Sequence, residues 1–138
     1  MKTLLINALA VVAGLVLGSV ANMAIVLVGP HIVPPPAGVD MSDVESLAEG
    51  IHLLTPLHFL FPFLAHAVGT LVGATVASLI AVSRRAVFAY VIGGLFLAGG
   101  IAASFMIPAP AWFIALDLLL AYIPMAWLGL RLSQRIRP

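Results

Sequence analysis

Cysteine is absent from this chain. Disulfides, thiol catalysis and Cys-ligated metals are therefore excluded, whatever the redox compartment. Charge is scarce as well: 8% of the residues are Asp, Glu, Lys or Arg, against roughly 25% in a soluble domain. Several chemical signatures are also missing. None of Ser19, Ser78 and Ser104 sits in a G-x-S-x-G elbow. No Gly-rich phosphate loop follows a strand, because no strand is expected. His31, His52, His58 and His66 match no metal motif, since HExxH and closely spaced His pairs are absent. A metal site would have to be assembled by folding, with Asp117 as a carboxylate ligand. No metal and no cofactor are expected. The basic residues are too few and too scattered for a nucleic-acid surface, so no nucleic-acid partner is expected.

What the chain has in abundance is apolar sequence: 63% hydrophobic residues and a mean hydropathy of +1.22. A spanning helix needs about 20 apolar residues. Four runs meet that length, over about 3–28, 56–82, 86–107 and 111–130, with a long loop at 29–55. Together they use all 138 residues, so a single membrane domain is the natural count. The expected fold is an all-α membrane protein: a four-transmembrane-helix bundle with a short surface helix in its first outer loop. The first run, Leu4 to Val28, far exceeds the 7–15 residues of a signal-peptide core, so it is read as a retained span.

Charge orients the bundle. Lys2, Arg84, Arg85, Arg131, Arg135 and Arg137 all fall on one side of the four-span arrangement. Asp40, Asp43, Glu45 and Glu49 fall in the long loop on the other. Lys and Arg resist translocation. Both termini are therefore expected in the cytoplasm of a bacterial inner membrane and loop 29–55 in the periplasm. The bilayer is the expected partner, with anionic headgroups against the basic face.

Local signals set the segment ends. Gly29-Pro30 is expected to end span one. Pro34-Pro35-Pro36 forms a stiff stretch. Ser42 and Glu45 make a capping-box pattern for a short helix over about Asp43–Leu53. Its Val44, Leu47, Ala48 and Ile51 form an apolar face that lies on the membrane or caps the bundle. Thr55-Pro56 starts span two, and Pro62 predicts a kink near its outer end. Trp112 and Trp127 sit near the two ends of span four, as interfacial anchors do.

Helical spacing divides the faces. In span one, Asn7, Ala10, Gly14, Gly18, Ala21 and Asn22 share an arc, opposite Leu5, Leu9, Val12, Val16, Val20, Met23 and Leu27. In span two, His58, Pro62, Ala65, His66, Gly69 and Gly73 share an arc, opposite Leu57, Leu60, Phe61, Leu64, Val68 and Leu71. Gly14/Gly18 and Gly69/Gly73 have the small-xxx-small spacing that allows close helix contact, within one chain or in a homo-oligomer. Gly93, Gly94, Gly99 and Gly100 offer the same to span three.

Asp117 is the only carboxylate inside a span. It lies roughly 10 Å below the outer boundary, Asn22 about 9 Å and His66 some 15 Å, at the rise of an α-helix. The three are expected in one polar layer, with His58 above and hydroxyls from Tyr122 and Ser104 nearby. A carboxylate in a span is costly unless paired and marks a functional site by default. A structural network that fixes helix packing is the alternative, and Asn22 fits it best as glue between helices. Three functions follow: handling of a proton, ion or small solute; a non-catalytic accessory or assembly role; and an enzyme or ligand binder open to the periplasm. A transport path is expected to need a second copy, because four helices enclose little volume.

The stretches PPPAGVD (34–40), HFLFPFLAHAVGTLVGA (58–74) and ALDLLLAYIPMAWLG (115–129) resemble a group of small four-span bacterial membrane proteins. The resemblance implies the four-span fold and the inner membrane, and it brings no activity, ligand or catalytic residue. The first-span glutamate of small multidrug exporters is missing, as are the polar-track motifs of fluoride channels.

Overall fold

Hydrocarbon offers no hydrogen-bond partners, so an apolar segment that crosses it must satisfy its own backbone, and the α-helix does so within one segment. In the computed structural model, which describes residues 1–138, the chain is helical and has no strand. Four helical segments are long and apolar enough to cross a membrane: Lys2–Ile32, Pro56–Ile80, Arg85–Met106 and Ala111–Ile136.

α1 spans Lys2–Ile32. It does not stop at Gly29-Pro30. Pro30 removes a single N–H, while the Val33 N–H still reaches the Gly29 carbonyl at 2.9 Å, so the helix completes another turn. α2 spans Val44–Gly50, shorter than expected, and passes into a 3₁₀ turn over Ile51–Leu53. Its cap is Asp43, whose carboxylate accepts the Ser46 N–H at 2.7 Å. Ser42 instead donates its N–H and hydroxyl to Asp40. An ionised carboxylate is the stronger acceptor and takes the capping position.

A 3₁₀ turn over Pro56–Phe59 leads into α3, Leu60–Ile80. Pro62 falls in the first turn of α3, where an N–H has no partner within the helix, and the irregular stretch is the 3₁₀ turn that precedes it. α3 is the central helix. Its buried residues, among them Ala67, Thr70, Ala74, Thr75 and Ser78, go well beyond the expected arc, because α1, α4 and α6 all pack on it. α4 is Arg85–Met106. The fourth span is not one helix. α5, Ala111–Leu120, ends at Ala121–Tyr122, and α6 runs over Ile123–Ile136. Pro124 in the first turn of α6 has no N–H for the Leu120 carbonyl, and its ring displaces that carbonyl. The expected span had passed over this proline.

Glycine sets the helix separations. A Cβ at Gly14 would lie 2.7 Å from the Gly73 carbonyl oxygen, and one at Gly18 2.6 Å from that of Gly69. In the other direction, Gly73 faces the Gly14 carbonyl and Gly69 that of Gly18. Gly129 of α6 sits as close to the Leu71 carbonyl, and Gly93 of α4 lies against Ala126. Gly94 and Gly99 face open space, so they contribute no close packing. The opposite face of α1, from Leu5 to Leu27, is exposed at each of its seven expected positions.

At the basic end, Arg85 donates to the carbonyl of Ser78, and Arg137 to that of Leu79. These cations satisfy last-turn carbonyls of α3, where the helix dipole also favours positive charge. Arg84 takes the left-handed conformation, φ 46°, to turn the chain into α4.

Candidate functional site

Three elements build the polar centre. α3 carries His66, α5 carries Asp117, and the break after α5 turns Tyr122 back toward the carboxylate. The His66 Nδ1 lies 2.9 Å from Asp117 Oδ1 and 3.0 Å from Oδ2. The Tyr122 hydroxyl donates to Oδ2 at 2.9 Å. Asp117 is 4% exposed, so both of its oxygens are satisfied by protein rather than water. Such pairing is what a buried carboxylate requires. The imidazole also stacks on the Tyr122 ring, centroids 5.8 Å apart. Gly100 of α4 makes this possible, since a Cβ there would collide with the Tyr122 hydroxyl.

The ring orientation has a chemical consequence. In a neutral His66, donation from Nδ1 to the carboxylate fixes one tautomer and leaves the Nε2 lone pair free. Nε2 has no protein partner, and it is not sealed from solvent, because no buried side-chain nitrogen or oxygen lacks a partner.

His66 and Asp117 lie at the edge of a cavity of about 230 Å³. Its walls are largely apolar. Val26 and Gly29 of α1, Phe59 and Phe61 around the start of α3, Ala103 of α4 and Ile107 just after it, and Phe113 of α5 line it. Met41, Leu47, Ile51 and Leu54 also line it, so two residues of the expected apolar face, Leu47 and Ile51, reach the cavity, while Val44 of that face is exposed. Phe59, Trp112 and Phe113 form an aromatic cluster there, with Trp112 edge-to-face on both phenylalanines and those two tilted against each other. No periodic signal in the sequence marked that cluster.

His58 lines the same cavity but is committed elsewhere. Its Nδ1 accepts the Thr55 N–H at 3.1 Å, so the ring proton sits on Nε2 and is donated to the Pro34 carbonyl at 3.1 Å. His58 thereby ties the Pro-rich stretch to the start of the second span. Ser104 also lines the cavity, with its hydroxyl donated to the Ile101 carbonyl of its own helix.

The expected layer is brought together only in part. Asp117 and His66 meet, and Tyr122 joins them. Asn22 does not; it lies against Gly69, where an added Cβ would meet its own Cβ at 2.9 Å. The asparagine that ties α1 to the rest of the bundle is Asn7, which holds the turn between α3 and α4. It donates to the Ser83 hydroxyl at 3.0 Å and accepts the Val82 N–H at 3.1 Å. Its place on the small-residue arc of α1 was legible in the spacing; its partners were not. No three His, Asp or Glu side chains converge as a metal site would need.

No protein-family model, curated protein or solved structure matches the chain. The site is therefore read from its own chemistry.

Proposed function

We propose that this chain is an inner-membrane protein that binds a small, mainly apolar molecule in the cavity beneath the 29–55 loop. The Asp117–His66–Tyr122 group forms the polar end of the site. The observation that carries this reading is a cavity that ends on a paired, buried carboxylate. Apolar concavities with a few convergent polar groups are the usual form of small-molecule sites, and an ionisable residue inside a span marks function by default. With the basic residues in the cytoplasm, the site belongs to the periplasmic half and both termini are cytoplasmic.

Binding is favoured over conduction by what lies deeper. Toward the basic end, Ala74, Ala77, Ala89, Ile92 and Ala126 expose no surface at all, and no cavity-lining residue comes from that layer. A proton- or ion-handling role is the second reading. It rests on the Asp117–His66 pair, which can hold a proton, and it requires the packed layer to open or a second copy to complete a path.

Filling the cavity tests the proposal. Ala103→Phe places a ring in the site, whereas Leu119→Phe adds one on an exposed face of α5. Native mass spectrometry of the purified protein is expected to show a small molecule retained by the unmodified chain and by Leu119→Phe, and lost from Ala103→Phe. Equal retention in both variants would sink the reading.

A further inference from the structure

The hydrogen-bonding inventory of this cavity is one-sided, and this selects its ligand. His66 offers the Nε2 lone pair, since its Nδ1 is held by Asp117. Ser104 has spent its only O–H on the Ile101 carbonyl and offers lone pairs alone. The one ring proton of His58 is spent on the Pro34 carbonyl. Asp117 brings a negative charge, and no Lys or Arg is among the lining residues. With His66 neutral, the polar end thus holds free acceptors, no free donor and no cation. A ligand carboxylate or phosphate would meet acceptors only and would lie beside a like charge, which is disfavoured.

Size narrows the class further. An apolar cavity of about 150 Å³ holds a benzene ring. The present cavity, about 230 Å³, is half as large again and takes roughly nine or ten non-hydrogen atoms on the same scale. Phe59, Phe61 and Phe113 give it aromatic walls.

We infer that the site takes a compact, neutral apolar alcohol, whose hydroxyl donates to His66 Nε2 while its hydrocarbon body lies among the phenylalanines. This rests on the binding reading above and adds the donor requirement to it.

The test is a ligand series that shares one skeleton: phenylpropanol, propylbenzene and phenylpropanoate. Binding to the full chain in lipid nanodiscs is followed by Trp112 fluorescence in a Trp127→Phe background, with concentrations corrected for partition into lipid. Trp112 is a suitable reporter because its ring lies 5.6 Å from that of Phe59 and 5.9 Å from that of Phe113. Phenylpropanol is expected to bind about tenfold more tightly than propylbenzene, the scale of one well-made hydrogen bond, and phenylpropanoate most weakly. His66→Phe is expected to abolish the advantage of the alcohol and to leave propylbenzene within about twofold; retained propylbenzene binding also reports that the variant is folded. Propylbenzene binding as tightly as the alcohol would overturn the donor requirement while leaving the cavity as a binding site. Tightest binding of phenylpropanoate would overturn it as well. If no member bound, the donor inference and the binding reading would both fall.

Discussion

Asp117 holds two donors at once, so the effect of replacing it depends on what is stranded. Asp117→Leu leaves the His66 N–H and the Tyr122 hydroxyl without an acceptor, and each orphaned group costs about 1–3 kcal/mol. Asp117→Asn keeps one carbonyl oxygen for Tyr122 and is expected to cost less, about 1 kcal/mol. Reversible unfolding in mixed micelles should rank the leucine variant well below the asparagine variant; the opposite order would mean that the pair does not hold the helices. A second contrast lies in two adjacent residues. Gly99 faces open space, whereas a methyl at Gly100 strikes the Tyr122 hydroxyl. Gly100→Ala is expected to lose about 1–3 kcal/mol through overpacking. Gly99→Ala is expected to be neutral or to gain up to about 1 kcal/mol from helix propensity. The same unfolding assay separates the two.

At the scale of elements, α1 and α3 touch backbone to backbone, which only hydrogen at Gly14, Gly18, Gly69 and Gly73 permits. Gly18→Ala and Gly73→Ala are each expected to lower stability by about 1–3 kcal/mol, because the obstacle is a carbonyl that cannot turn aside. Leu5→Ala, on the exposed face of α1, should be milder, and a reversed order in thermal unfolding would contradict the packing. In the loop, the Asp40 carboxyl is held below its ordinary value of 3.8, first by the Ser42 hydroxyl and then by the Ser42 N–H. A depressed carboxyl contributes stability above its ordinary value and loses that contribution as pH falls through its folded value. The Ser42 amide resonance should therefore shift with a midpoint below 3.8, and the step should vanish in Asp40→Asn. A midpoint at or above that value would show that the turn is not formed.

For the whole molecule, the proposed topology puts the loop and the carboxyl-terminal end on opposite sides of the membrane. Asp43 and Arg135 are both exposed. Cysteines at these positions in this cysteine-free chain should label oppositely with an impermeant thiol reagent in intact spheroplasts: Asp43→Cys readily, and Arg135→Cys only after lysis. Equal labelling would refute the orientation. The same geometry explains why the cavity sits at the loop end. The Pro-rich stretch is tied to the bundle through His58, and Leu47 of α2 lines the cavity together with residues of α1, α4 and α5.

Hydropathy and helix periodicity are properties of one segment at a time, and whatever depends on them alone was readable from the residues. That covers the four apolar helical segments, the N-cap at Thr55, the outward face of α1 and the small-residue arcs of α1 and α3. That Asp117 and His66 could share a level was readable too, because rise per residue places a side chain along a helix axis. Their meeting was not. Periodicity gives the angle of a side chain on its own helix but not which helices are neighbours, and small residues permit close contact without choosing a partner. Only the tertiary structure made α3 central, paired His66 with Asp117 across 51 positions, and set Asn22 apart while Asn7 held the α3–α4 turn. The break at Tyr122 divides the same way. Pro124 is local chemistry and legible in principle, but the return of the tyrosine hydroxyl to Asp117 depends on the space that Gly100 leaves on another helix. The cavity is the most tertiary feature of all, because five separate stretches of chain must pack imperfectly in one place to leave it.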